Sequence, residues 1–162
     1  VTALCGWKAL EFHYSGAFLY PGGVSSFSHS VTQMALERSS GRCERCGKHV
    51  ASGRRGSQWS AHHRHPAGMG GSSVDWVYEI SNCLILCGTG TTGCHGWVES
   101  HRDLSREAGW LVPSGVQLPA EIPVLLWDGR VRLLSASGEY SRVDQPVAIL
   151  PVRPGRVRVR WE

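Results

Sequence analysis

His62 and His63 stand side by side in this chain, Asn82 follows, and Cys94 and His95 form a second adjacent pair. On a strand, neighbouring side chains leave opposite faces, so His62 can ligate a metal while His63 acts on a substrate. Hydrolysis of a phosphodiester needs a base to take a proton from water, neutralisation of the charge on the phosphate, and stabilisation of the leaving oxygen. A divalent cation serves the last two needs. An imidazole that titrates near neutrality serves the first. The expected roles are therefore His62 and His95 on the cation, His63 as general base, and Asn82 bridging backbone groups so that His63 stays oriented. Arg64, with His65 beside it, is expected to reach a phosphate.

Two cysteine pairs enclose these histidines. Cys43 and Cys46 form a CxxC knuckle closed by Gly47, and Cys87 and Cys94 bracket the run GTGTTG. Four thiolates about 2.3 Å from one ion make a tetrahedral zinc site, and the small residues of the second bracket let it fold back. Cys83, beside Leu84, Ile85 and Leu86, reads as a small buried apolar residue. Cys5 lies outside the set. Disulfides in a secreted protein are the competing use of six cysteines. The CxxC spacing next to histidines favours metal, and residues 1–30 lack the compact apolar core of a signal peptide.

With these motifs on the page, residues 43–110 resemble the HNH endonuclease family. The resemblance is to its zinc-stapled form, common in actinobacteria and their phages. The strings that carry it are HHRHPAGMGGSS at 62–73 and LCGTGTTGCHGW at 86–97. The resemblance implies an α+β fold with a ββα-metal HNH module stapled by a four-cysteine zinc site. It implies a metal-dependent endonuclease that hydrolyses DNA, with His62 and His95 on the catalytic metal, His63 as base and Asn82 structural. It also implies a structural Zn²⁺, a catalytic Mg²⁺, Mn²⁺ or other divalent cation, and DNA as partner. Small phage relatives are linked to packaging, restriction or recombination proteins, which suggests the cytoplasm of a bacterium or of a phage-infected host.

One departure matters. Many members of that family carry a further histidine four residues after the last one, and this chain has Glu99 there. At i+4 from His95 a carboxylate shares the helix face and can reach the same ion, making the site better suited to Mg²⁺ or Mn²⁺. Glu99 can equally be a solvated helix residue paired with Arg102. The alternative to an enzyme is a catalytically decayed zinc-stapled module that only binds nucleic acid.

The elements that must position these groups follow from pattern. Residues 31–42 read as a short helix or turn, Gln58–His63 as a strand, and 64–73 as a Gly/Pro-punctuated loop. Residues 75–80 are ambiguous. Residues 82–86 read as a short buried strand or turn, and Cys94–Ala108 as one helix ended by Gly109. Further on, residues 123–127 and 130–135 flank Asp128-Gly129, a hairpin signal, and 147–152 and 156–161 are two more strand candidates. The division expected is an irregular N-terminal arm or over-extended start over 1–30, the HNH nuclease module over 31–110, and a small antiparallel β appendage over 111–162.

Composition permits this without demanding it. The chain has 162 residues, 41% hydrophobic, with a formal charge of +4, a mild excess compatible with an anionic partner. No run of 18 apolar residues suggests a membrane span. Arg156, Arg158 and Arg160 alternate on a candidate strand, where they could track a phosphate backbone or keep an edge strand soluble; the second reading is preferred. Trp59, Trp76, Trp97 and Trp110 read as core fillers.

Overall fold

The computed structural model describes residues 26–113 and 118–143, together with the backbone of 148–149 and 159–160. Cys5, Arg153, Arg156, Arg158 and residues 1–25 of the expected arm lie outside the described residues. Among the described residues, no helix is long and apolar enough to cross a membrane.

The first helix, α1 (His29–Arg38), starts at Ser28, whose Oγ accepts the Val31 N–H at 3.2 Å. That bond satisfies one of the free amide groups at a helix start. Thr32 and Ala35 form its buried side. Phe27, just ahead of the cap, is buried in the core, so the folded unit reaches past the boundary drawn at residue 30.

Two strands then pair antiparallel: β1 (Trp59–His63) and β2 (Cys83–Cys87). Trp59 sits opposite Cys87, His62 opposite Leu84 and His63 opposite Cys83. Every residue of β2 is buried, which fits its unbroken CLILC sequence, because a strand covered on both faces needs no polar alternation. The ambiguous stretch before it forms two 3-10 turns, Asp75–Tyr78 and Ile80–Asn82.

The single helix expected over 94–108 is two. Helix α2 (Gly93–Ser100) and helix α3 (Arg102–Glu107) are separated at His101, whose φ of −119° and ψ of 58° leave the helical region. The Ser100 hydroxyl donates to the Trp97 carbonyl, and the His101 ring stacks on Trp97 with 4.3 Å between centroids. The buried Ser105 hydroxyl donates to the Val98 carbonyl, the acceptor that the Arg102 amide would use in a continuous helix. Side-chain donors thus replace the backbone ladder at the break.

The C-terminal strands β3 (Val124–Leu125), β4 (Val131–Leu134) and β5 (Tyr140–Arg142) form an antiparallel sheet around the Asp128-Gly129 turn. A further antiparallel pair joins β6 (Ala148–Ile149) to β7 (Val159–Arg160). The chain is therefore mixed α and β with small antiparallel sheets. Leu111, Val124, Leu126 and Leu134 share one apolar cluster with Leu84, Ile85 and Leu86, so the described strands β3 to β5 share the core of the histidine-bearing strands.

Two buried charges tie these parts together. The Glu44 carboxylate accepts from Arg38 Nε and Nη2 at 3.1 Å each, from the Tyr140 hydroxyl at 2.7 Å and from the Ile85 amide at 2.7 Å. Arg64 is fully buried and donates to the carbonyls of Ser81, Gly109, Pro119 and Ile122. The expectation that Arg64 reaches a phosphate is therefore corrected: its guanidinium points inward, and four of its five N–H groups are held by backbone oxygens. Burial lowers its pKa to about 9, which leaves it charged at neutrality. Removing one partner of a buried pair typically costs about 3–5 kcal/mol. Glu44→Ala is expected to lose stability on that scale in urea unfolding followed by tryptophan fluorescence, and Glu44→Ala with Arg38→Met to lose less than the sum. An exposed-site effect of under about 0.5 kcal/mol for Glu44→Ala would refute the assignment.

Candidate functional site

The cysteines converge as their spacing suggested. Sγ atoms of Cys43, Cys46, Cys87 and Cys94 all lie within 4.8 Å of one another, and those of Cys46 and Cys87 are 3.8 Å apart. A tetrahedron of sulfurs about 2.3 Å from zinc has edges of roughly 3.8 Å, so the donor set fits that ion. All four are free thiols rather than disulfides. Their crowding raises the Cys43 pKa, first through the hydrogen bond with Cys94 and then through burial. A divalent cation would relieve that crowding by taking the thiolates as ligands.

The turn between Cys87 and Cys94 is tight. Gly88 has φ of +85°, and a Cβ there would collide with the Thr92 carbonyl. The Thr89 and Thr92 backbones close on each other with N–H to O=C bonds of 3.2 and 3.0 Å. This aims Cys94 at the other sulfurs and starts α2. Arg45 Nη1 then donates to Cys94 Sγ at 3.4 Å, with its guanidinium 3.7 Å from the Trp97 ring centre. Cys83 is fully buried, with its thiol pKa pushed up to about 12 by desolvation, as befits an apolar core residue.

A second group forms on the next residue of α2. His62, His95 and Glu99 each place one ligand atom within 4.8 Å of the others. Glu99 Oε1 is 3.6 Å from His62 Nδ1 and 3.9 Å from His95 Nε2. The partners on the far side of each ring settle which nitrogens are protonated. His62 Nε2 lies 3.1 Å from the Trp110 carbonyl, which can only accept, so Nε2 carries the proton and Nδ1 a lone pair. The Ser60 hydroxyl donates to the Gly88 carbonyl at 3.0 Å and lies 2.6 Å from His95 Nδ1. Ser60 makes both bonds at once only when it accepts from Nδ1–H, the tautomer that leaves the lone pair on His95 Nε2. Such outer hydrogen bonds fix the tautomers of ligating histidines.

Burial keeps both rings neutral. The His62 pKa falls to about 3, through desolvation and then the proximity of His95. That of His95 is also lowered by desolvation, which the Glu99 charge opposes. Two lone pairs and a carboxylate oxygen thus face one another with no proton between them, a set that a cation would bind. The other oxygen of Glu99 accepts from Arg102 Nη1 at 3.0 Å.

His63 leaves the other face of β1. Its ring stacks on Phe27 with 3.8 Å between centroids and 15° between planes, and meets Tyr78 edge-on. Its Nε2 is buried without a hydrogen-bond partner, and desolvation followed by the influence of His95 lowers its pKa to about 4. Asn82 is buried on the neighbouring turn. Its Oδ1 accepts the His65 amide at 2.6 Å, and its Nδ2 donates to the His65 and Val77 carbonyls. It holds the chain two residues beyond His63 by backbone bonds alone.

Sequence reasoning missed Ser60, the Trp110 carbonyl and Arg45. Ser60 had a signal: it is two residues before His62, hence on the same face of the strand. The other two had none. Comparison of the chain with protein-family models, with curated proteins and with solved structures finds no match.

Elemental analysis of the purified chain is expected to find about one zinc held by the four thiols. Cys43→Ser should lose both that metal and the folded circular dichroism signal, since binding and folding are one equilibrium in small zinc modules. A chain that stays folded and metal-free after exhaustive chelation would exclude the site. Ser60→Ala should keep the zinc while weakening divalent-cation binding at the histidines about 10- to 100-fold, as read by calorimetry.

Proposed function

We propose that this chain is a metal-dependent endonuclease of the HNH kind that hydrolyses phosphodiester bonds in DNA. The observation that carries the reading is the convergence of His62 Nδ1, His95 Nε2 and Glu99 Oε1, with both nitrogens unprotonated. A divalent cation bound there would supply charge neutralisation at the scissile phosphate and at the leaving oxygen. His62 and His95 are held for that task by Trp110 and Ser60, and Glu99 adds the anionic oxygen that favours Mg²⁺ or Mn²⁺.

His63 is the proton acceptor in this reading. It is neutral, its Nε2 has no hydrogen-bond partner, and it sits on the strand position next to a candidate ligand. For that role the buried Nε2 would have to meet water, so the groups that cover it would have to move. Asn82 acts on His63 only through the backbone. Arg64 has no part in phosphate binding and serves as an internal strut. The decayed-module alternative drew on Glu99 replacing a histidine, and the proximity of its Oε1 to both nitrogens supports the enzymatic reading instead.

Plasmid nicking with added Mg²⁺, Mn²⁺ or Ni²⁺ tests the proposal. His63→Ala is expected to keep zinc and DNA binding and to lose about 10²- to 10⁴-fold in rate, the usual worth of a general base. His62→Ala and His95→Ala should lose activity and also weaken the catalytic cation. Glu99→Gln should impair Mg²⁺ support more than Ni²⁺ support. A zinc-replete wild-type chain that fails to nick with any of these cations would overturn the enzymatic reading, and His63→Ala nicking at the wild-type rate would overturn the choice of base.

A further inference from the structure

Away from the histidines, a groove of about 320 Å³ runs between the end of α1 and the β3–β4 hairpin. That volume lies within the range of small-ligand sites. Arg42, Arg130 and Arg132 line it with one carboxylate, Asp128, and Arg38 in its wall is committed to Glu44. Trp127 also lines it and is 51% exposed, the largest aromatic ring so open among the described residues. The ring is thus half covered and half open at the hairpin tip, where its open part is available for stacking.

Trp127 is anchored through its backbone and along part of its ring. Its amide donates to the Glu44 carbonyl at 2.9 Å, on the residue whose side chain anchors the core. Its ring lies along Gly47, where a Cβ would come within 2.8 Å of Trp127 Cε3. The bare glycine backbone, at φ of +77°, is what lets the ring lie flat there. The Arg42 guanidinium is 5.8 Å from the ring centre, within cation–π range. The hairpin contributes Arg130 from its turn and Arg132 from β4.

We propose that this groove binds a single strand of nucleic acid, with one base stacked on Trp127 and the adjoining phosphates held by Arg42, Arg130 and Arg132. A preformed aromatic platform inside a cationic groove is the combination that single strands require. A duplex hides its base faces, so it would meet the arginines and leave the ring unused. The inference shares with the nuclease reading only its polyanionic partner and involves none of the histidine cluster.

The test is anisotropy of a labelled oligothymidine of about ten nucleotides, a length within the span such sites cover, beside a duplex of mixed sequence. It uses the full chain with zinc in place and no other divalent cation added. Trp127→Ala is expected to weaken single-strand binding roughly 5- to 150-fold, the range for loss of one stacked base, while duplex binding stays unchanged. Trp127→Phe should retain most of the affinity. Arg130→Gln and Arg132→Gln should each reduce the salt slope of single-strand binding by about 0.7. Unchanged single-strand affinity in Trp127→Ala, or an equal loss on duplex, overturns the proposal. If Trp127→Ala fails to fold, the Arg130→Gln slope decides, since that side chain is exposed, and an unchanged slope overturns it too. A chain that never nicks but binds single strands through Trp127 would refute the nuclease reading alone. A chain that nicks with Trp127 indifferent would refute this inference alone.

Discussion

The buried carboxylate of Glu44 is the constraint on which the rest of the molecule depends. An ionised carboxyl inside a protein is tolerable only if it is paired and its lone pairs are occupied. Here the occupants come from α1, from β2 and from β5, through Arg38, Ile85 and Tyr140. Glu44 also lies inside the Cys43–Cys46 knuckle, and its own amide donates to the Ile85 carbonyl at 2.8 Å. Meeting the needs of one side chain thus sets the knuckle against β2 and closes the C-terminal sheet over both. Arg64 does the corresponding work past the end of β1, gathering carbonyls from the turn before β2 and from the chain after α3. The apolar core is thus organised around buried charges, Glu44 paired with Arg38 and, past the end of β1, Arg64.

From that frame the histidine cluster inherits its chemistry. His62 is oriented by Trp110, which lies next to the Gly109 carbonyl that Arg64 holds. His95 is oriented by Ser60 on the neighbouring strand. Neither ring is free to turn its protonated nitrogen toward Glu99, so the lone pairs stay where an electrophile can use them. The orienting groups are a backbone carbonyl and a hydroxyl, neither of which adds charge to the site. The charge balance at the cluster is therefore left to Glu99, to the Arg102 paired with it, and to whatever binds beside them.

Much of this was legible in the residues, and the illegible parts have a common cause. The β1 strand, the hairpin at Asp128-Gly129 and the four cysteines could be read because alternation, turn chemistry and ligand spacing are one-dimensional signals. Glu99 could be placed because i+4 geometry is local. Arg64 could not, since nothing near it in sequence announces that four carbonyls, the farthest at Ile122, will close around it. Glu44 was passed over for the same reason, its partners ranging from Arg38 to Tyr140. The break at His101 was hidden because RDLSRE is good helix sequence by itself. The competition of Ser100, His101 and Ser105 for backbone oxygens appears only once the turn is folded. The single-strand groove depends on Gly47 meeting Trp127, far later in the chain.

The adjacency of Cys94 and His95 carries a consequence of another kind. One peptide bond joins a member of the sulfur cluster to a member of the histidine cluster, so the two centres are mounted in series. A slackened sulfur cluster would release the first turn of α2 and carry His95 and Glu99 away with it, whereas a change confined to Glu99 would leave the sulfurs undisturbed. The dependence runs one way.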